Sequence, residues 1–184
     1  LKGCAAMGTL HISKITTSIE EDFSCGNTAI DQMLKDSLYL TALRRCYAYQ
    51  VTADGVTLGY YRIGLKRFPL QIFDPPLEDY SVGNYQDMYA MHIEYIAIKR
   101  ECQRNKIGSG VLKYIIATIQ ELSMACPFRL LTVNALYKLV HWYESFGFKV
   151  VHKYEDKQNP ETVLMVRDML TTEELAALEQ FSEV

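Results

Sequence analysis

Apolar and polar positions along the 184-residue chain follow two different periods. Residues 46–53 and 56–65 have the composition and alternation of strands on either side of an Asp54-Gly55 turn, which predicts a β-hairpin. Between 28 and 45, and again between 108 and 125, apolar residues recur every three or four positions, which predicts helices. Further strands are predicted at 11–15, 88–99, 129–134, 148–154 and 163–170, with a helix at 136–145 and a last helix that begins near Thr171 in a capping-box pattern.

The order of these elements predicts the fold class. A strand, a helix and a strand over 88–134 require a right-handed crossover and a parallel strand pair. We therefore predict an α/β (α+β) fold with a mixed, mainly antiparallel sheet, a central parallel strand pair and flanking helices. Residues 66–87, with prolines, glycines and tyrosines in no period, are predicted to form a long loop with a binding role. Residues 7–184 are expected to be one domain, and residues 1–6 a tag or processing remnant.

Composition narrows the function classes. The formal charge of −3 gives no basic excess of the kind that a dedicated nucleic-acid binder uses. Five cysteines without a Cys-x-x-Cys pair favour reduced thiols over a disulfide framework or a zinc site. Charged residues interrupt each apolar run before the ~18 residues that would span a bilayer. A soluble, cytoplasmic protein without a metal is expected.

One junction has the pattern of an anion site. Between a predicted buried strand and a predicted helix, the chain reads Gln103-Arg104-Asn105-Lys106-Ile107-Gly108-Ser109-Gly110. The first N–H groups of a helix have no acceptor within it, and the helix dipole adds positive charge there, so phosphate is the natural occupant. Gly108 and Gly110 would allow a tight turn and close approach, and Arg104 and Lys106 would add charge. The alternative that the glycines serve only helix packing or a sharp turn stays open.

Glu94 is a carboxylate inside the apolar strand His-Ile-Glu-Tyr-Ile-Ala-Ile. Burying a carboxylate is costly unless it has a partner or a raised pKa, and such groups often serve function. The alternative is a structural ion pair, with His92 or Arg62 as the partner.

Residues 93–148 resemble the acyl-CoA-binding half of the GNAT (Gcn5-related N-acetyltransferase) superfamily. The segments IEYIAI, NKIGSG, RLLTVN and HWYESFGF occur in the family's order. NKIGSG is similar to the family's Gln/Arg-x-x-Gly-x-Gly/Ala loop, with Asn105 at the first position. The resemblance implies acetyl-CoA as cosubstrate, with the diphosphate wrapped by residues 103–110. It also implies that the backbone of Ile96, Ala97 and Ile98 pairs with the pantetheine arm, and that Asn134 binds the cofactor or a water, unless it caps the next helix.

The resemblance further implies two catalytic residues. Tyr143 lies where the family keeps a tyrosine near the CoA sulfur, which implies a general acid. Glu94 precedes Gly108 by 14 residues, the offset of the general base in the histone-acetylating branch. The implied reaction is direct attack of a primary amine on acetyl-CoA in a ternary complex. Tyr143 as a buried core aromatic is the alternative for that residue.

The segments DFSCGNTAIDQMLKD and LGYYRIG resemble, more loosely, the acetyltransferase toxins of toxin-antitoxin pairs. The candidate acceptors are therefore a small molecule, a protein and aminoacyl-tRNA. The candidate partners are a second copy of the chain, in a homodimer, and an antitoxin. A basic strip would support the tRNA acceptor, with Arg44, Arg45, Lys66, Arg67, Lys99 and Arg100 as its members. A non-catalytic acyl-CoA-binding sensor, suggested by Asn105, is the alternative from another class.

Overall fold

The computed structural model describes residues 8–73, 87–154 and 160–181. The strands in these ranges are β1 (His11–Lys14), β2 (Cys46–Ala53), β3 (Val56–Pro69), β4 (Asp87–Ile98), β5 (Leu130–Leu136), β6 (Lys149–Val150) and β7 (Thr162–Asp168). The helices are α1 (Thr28–Leu34), α2 (Ser37–Ala42), α3 (Ile107–Ser123), α4 (Val140–Glu144) and α5 (Thr172–Phe181). The sheet is mixed and mainly antiparallel, with one parallel pair, which confirms the predicted fold class. None of the described helices is long and apolar enough to cross a membrane.

The chain divides into two compact units. The first comprises residues 1–66 and 91–118, and the second comprises residues 67–90 and 119–184. In the first unit the strands lie in the order β1-β2-β3-β4, and in the second the order is β5-β7-β6. The proposed remnant at residues 1–6 lies outside the described residues.

The predicted hairpin is confirmed as β2 and β3. Cys46 lies opposite Gly64, and the strands meet at a two-residue turn in which Asp54 and Gly55 have φ of 50° and 76°. Two successive positive φ values match the twist of a tight hairpin turn. β3 continues to Pro69, so the first part of the predicted 66–87 loop is strand. Residues 74–86 of that predicted loop lie outside the described residues.

The core of the first unit lies between the sheet and α1. It contains Ile15, Phe23, Leu34, Ala48, Tyr60, Tyr95 and Ala97. Phe23 meets the Tyr60 ring edge to face, with 4.8 Å between ring centroids. The side chain of Asn27 accepts from Ala29 N and Ile30 N and so begins α1.

The prediction of one helix over 28–45 is wrong, because α1 ends at Leu34 and α2 begins at Ser37. In a continuous helix, Met33 O would accept from the N–H of Ser37. Here it accepts instead from Arg62 Nη1 and from Ser37 Oγ, both at 3.0 Å. Side-chain donors thus compete for the carbonyl that would continue the helix.

β3 and β4 approach closely at Gly59. A Cβ atom on Gly59 would lie 2.5 Å from Ala97 O, and Lys99 N donates to Leu58 O at 2.8 Å. A glycine at this position therefore permits the contact between the two backbones.

The second unit packs a core around β5 and β7. This core contains Phe68, Ile72, Phe73, Ala90, Leu130, Val151 and Leu164. The guanidinium of Arg129 bonds the carboxylate of Asp168, with Nη2 2.6 Å from Oδ2. At the start of α5, Thr171 Oγ1 accepts from Glu174 N at 3.2 Å and Glu174 Oε2 accepts from Thr171 N at 2.7 Å, which confirms the predicted capping box.

Two elements of the second unit are shorter than predicted. The helix predicted at 136–145 is a 3₁₀ turn over Tyr137–Leu139 followed by α4, and the strand predicted at 148–154 is the two-residue β6. α4 ends at a turn in which Gly147 has φ of 80° and its N–H donates to Glu144 O at 2.9 Å. Glycine adopts this left-handed conformation without steric cost.

Replacing Gly147 by alanine should lower the free energy of unfolding by about 2 kcal/mol, because left-handed backbone disfavours a Cβ and because that Cβ would press on Arg167 Nη1. Gly55→Ala is the matched control, since Gly55 has φ of 76° and a methyl group on it would have no described atom within 4 Å. It should cost only the conformational part, about 1 kcal/mol. Urea denaturation measures both, and equal losses would show that Arg167 yields freely.

Candidate active site

The predicted anion junction lies between β4 and α3. After β4, a 3₁₀ turn over Arg100–Cys102 leads into residues 103–106, and α3 follows with 17 residues. The bond from Gly110 N to Lys106 O, at 3.0 Å, is in the first turn of this helix. The N–H groups ahead of it have no acceptor within the helix, and they lie at the positive end of the helix dipole. The predicted order of strand, loop and helix is confirmed here.

The tight turn of this loop does not come from its glycines. Arg104 and Lys106 have φ of 65° and 61°, whereas Gly108 and Gly110 lie within α3. A methyl group on Gly110 would lie 3.3 Å from Leu10 Cδ1. The prediction that Gly108 and Gly110 make the turn is therefore wrong, whereas the close approach of an anion at these glycines stays a prediction.

Two polar side chains of the loop bond to the protein itself. Gln103 Nε2 donates to Cys25 O at 2.7 Å and to Ile98 O at 3.0 Å. Asn105 Nδ2 donates to Cys102 O at 3.4 Å. Arg104 and Lys106 are exposed, so their charges are accessible at the start of α3.

Backbone groups of β4 face opposite edges in alternation. Ala97 O faces Gly59 of β3, as the short approach above shows. Successive residues of a strand direct their N–H and C=O groups to opposite neighbours, so Ile96 and Ile98 present theirs to the other edge. This geometry favours Ile96 and Ile98 over Ala97 as partners for a ligand that lies along that edge.

Glu94 forms an ion pair with Arg62. The distance from Arg62 Nε to Glu94 Oε2 is 2.6 Å, and the side chains are 5% and 26% exposed. Arg62 Nη1 also lies 2.7 Å from Asp36 Oδ1 and 3.1 Å from Ser37 Oγ. Burial works to lower the pKa of Arg62, but Glu94 and Asp36 outweigh it and raise that pKa. The ion pair that the sequence left open is thus present, and Glu94 keeps contact with solvent.

Tyr143 and Asn134 belong to the second unit, whereas Glu94 and the 103–110 loop belong to the first. Tyr143 lies in α4, buried edge to face against Trp142 and Phe148, with centroid distances of 4.7 Å and 5.5 Å. Burial raises the pKa of its phenol, so Tyr143 is protonated at neutral pH. Asn134 lies in β5, half-buried and opposite Leu164 of β7. The buried surroundings of Tyr143 are compatible both with a proton donor and with a core aromatic residue.

The expectation that all cysteines are reduced thiols is wrong for one of them. Cys25, Cys46 and Cys126 are free thiols, but Cys102 is disulfide-bonded. Burial, with the Asp31 carboxylate close by, raises the pKa of Cys25 to about 11. This thiol is therefore protonated at neutral pH and is a poor nucleophile.

Part of the predicted basic strip is paired with acidic residues. Arg67 Nε lies 3.8 Å from Asp87 Oδ2, and Lys99 Nζ lies 3.4 Å from Glu101 Oε1. Neither pair is buried, so each reduces the local positive charge without fixing the side chains strongly.

Comparisons with known proteins agree with this architecture. Residues 80–168 match a family model described as acetyltransferase (GNAT) domain. A search of curated proteins found no match. Solved structures that share the fold include the following three. A tyrosine-to-phenylalanine mutant of KacT has 20% identity, with 95% of this chain and 99% of that one covered and a TM-score of 0.73. AtaT complexed with acetyl-methionyl-tRNAfMet has 20% identity, 92% and 99% coverage and a TM-score of 0.67.

The third, AtaTR bound with AcCoA, has 21% identity, 85% and 93% coverage and a TM-score of 0.66. At such identities the likeness to these structures establishes the fold alone. The family-model match over 80–168 adds the sequence pattern that accompanies this fold. The chain thus contains a segment, residues 80–168, that matches the acetyltransferase (GNAT) domain model, and its fold is similar to the folds of KacT and AtaT.

Proposed function

We propose that the protein is an acetyl-CoA-dependent N-acetyltransferase that transfers the acetyl group directly to a primary amine in a ternary complex. The observation that carries this proposal is the start of α3, where helix N–H groups and the exposed charges of Arg104 and Lys106 occur together within the GNAT match. An AtaTR structure of the same fold was solved with AcCoA. Such a junction suits a diphosphate.

The residues present fit acetyl-CoA, which supplies an activated thioester. The first N–H groups of α3 would hold the diphosphate, with Arg104 and Lys106 at its rim. The backbone of Ile96 and Ile98 would pair with the pantetheine amides, and an N–H there would polarise the thioester carbonyl. Asn134 remains a proposed further contact.

The reaction requires two proton transfers, and each needs a residue that donates or accepts the proton. The amine nitrogen attacks the carbonyl carbon, the carbon–sulfur bond breaks, and the CoA thiolate needs a proton. We assign that donation to the Tyr143 phenol, which its burial keeps protonated. We assign removal of the amine proton to Glu94, whose side chain is 26% exposed while Arg62 fixes Oε2.

Glu94→Gln should lower kcat about a hundredfold, the usual scale for a lost general base. Glutamine keeps an oxygen that can accept from Arg62 Nε, and Asp36 still opposes the Arg62 charge, so the fold should persist although part of the ion-pair stability is lost. Release of free CoA from acetyl-CoA with a panel of amines measures the rate. An unchanged kcat in Glu94→Gln would show that Glu94 is not the general base and serves only in the ion pair with Arg62.

Aminoacyl-tRNA is the second candidate acceptor, because AtaT has this fold and was solved with acetyl-methionyl-tRNAfMet. A neighbouring structure is described as the KacTA-DNA complex, and AtaT was also solved with the C-terminus of the antitoxin AtaR. An antitoxin partner is a proposal on the same ground, and a homodimer stays a prediction. The net charge of −3 counts against RNA.

An acceptor screen that includes charged tRNA, small amines and peptides tests these choices. Acetylation of the aminoacyl group on tRNA alone would establish the second candidate. Acetyl-CoA binding in calorimetry without CoA release from any acceptor would favour the sensor over the enzyme. An absence of binding would overturn both.

A further inference from the structure

The turn formed by residues 24–27 lies against the segment that joins β4 to α3. Arg100 N donates to Ser24 O at 3.0 Å, and Gln103 Nε2 donates to Cys25 O at 2.7 Å. The same Gln103 nitrogen donates to Ile98 O at 3.0 Å. One side-chain amide therefore connects the end of β4, the turn, and the loop that precedes α3.

Asp31 of α1 also bonds to this turn. Asp31 Oδ1 accepts from Cys25 N at 2.9 Å, and Oδ2 accepts from Ser24 Oγ at 2.6 Å. Burial works to raise the pKa of Asp31, but the hydrogen bonds from Ser24 and Cys25 outweigh it and lower that pKa. Both bonds are thus made to an ionised carboxylate, which strengthens them.

The turn has little freedom of its own. Gly26 has φ of 78°, its N–H donates to Ser24 Oγ at 3.0 Å, and a methyl group on it would lie 3.4 Å from Arg100 Cδ. The thiol of Cys25, protonated at neutral pH, has no evident chemistry here. Hydrogen bonds within the turn and to Asp31 and Arg100 therefore hold the backbone of this segment.

We propose that the turn of residues 24–27, fixed by Asp31, braces the acetyl-CoA loop, and that Gln103 is a positioning residue for that loop. This proposal rests on the proposed function, because the loop's ligand is taken from it. Arg104 and Lys106 have left-handed backbone, a conformation that persists only where neighbouring contacts enforce it. N–H groups held in place before binding lose less entropy on capturing an anion, so the brace raises affinity.

The test compares Gln103→Ala with Asp31→Ala, whose side chain bonds to Ser24 and Cys25 of the turn. Each should weaken acetyl-CoA binding about fivefold in calorimetry and raise KM for acetyl-CoA equally, with kcat at saturation within about twofold. The double variant should lose no more than either single one, because both changes release the same brace. Gln120→Ala removes a comparable bond, Gln120 Nε2 to Met169 O at 2.7 Å, and should leave affinity unchanged.

Other outcomes overturn the proposal. If Gln103 contacts the diphosphate directly, Asp31→Ala will leave acetyl-CoA affinity unchanged and the two changes will be additive. If the wild-type protein binds no acetyl-CoA, the proposed function fails, and hydrogen exchange then decides on the brace. The backbone amides of residues 103–110 should exchange faster in Gln103→Ala and Asp31→Ala than in wild type or Gln120→Ala. Equal exchange rates in all four proteins would contradict the proposed brace.

Discussion

Tyr143→Phe should lower kcat about a hundredfold, because the departing CoA thiolate then leaves without the phenol that we propose as its proton donor. Phenylalanine keeps the edge-to-face contacts of the ring with Trp142 and Phe148, so the fold should persist. Acetyl-CoA affinity should stay within about twofold, since the change removes an interaction made in the transition state. Steady-state kinetics with free-CoA detection and a calorimetric titration measure the two effects.

Tyr61→Phe is the matched control for that change. Tyr61 is buried in the first unit, stacked on Tyr49 with 4.8 Å between ring centroids, and burial raises its pKa as it does for Tyr143. Loss of this hydroxyl should leave kcat unchanged. Equal kcat in wild type and Tyr143→Phe would assign Tyr143 to the core alone and leave the thiolate to take its proton from solvent.

Arg62→Ala should lower the free energy of unfolding by about 3 kcal/mol, the lower end of the range for removing one member of a buried ion pair. The lower end applies because Glu94 and Asp36 are 26% and 55% exposed and regain some hydration. The change also frees Met33 O, so the break between α1 and α2 loses its buried donor. Urea denaturation, followed by circular dichroism, measures the loss.

Two further variants isolate the cause. Arg62→Lys keeps the charge but lacks the planar fork, so it should restore only part of the stability. Arg67→Ala removes an arginine that is 66% exposed and 3.8 Å from Asp87, and should cost no more than about 0.5 kcal/mol. If Arg62→Ala and Arg67→Ala cost the same, the buried network contributes nothing beyond a surface pair.

Local signals predicted the elements that depend on neighbours in sequence. The Asp54-Gly55 turn and the Thr171 capping box act over four residues or fewer, and both are confirmed. The break of the 28–45 helix was missed, because its cause is Arg62, 29 residues away from Met33. The spacing of apolar residues along the chain cannot show that a side chain from another strand will bond to a helix carbonyl.

The site was predictable in outline only. The order of strand, loop and helix gave the junction before α3, but not which residues turn the backbone, because arginine and lysine with φ near 60° have no sequence signature. The ion pair of Glu94 with Arg62 was anticipated as one of two choices of partner. The support from Ser24 and Asp31 was not anticipated, since it joins segments that lie more than 70 residues apart. Roles for Glu94, Tyr143 and the loop stay predictions.

The contact at Gly59 explains the glycine of the Gly-Tyr-Tyr segment, which resembles the same segment of toxin-type acetyltransferases. With Ala97 O only 2.5 Å from where a Cβ would stand, the shape of the backbone alone dictates the absent side chain. Tyr60, which follows it in the LGYYRIG segment, fills the core. A Gly-Tyr-Tyr match with another chain therefore indicates shared architecture and carries no information about an acceptor.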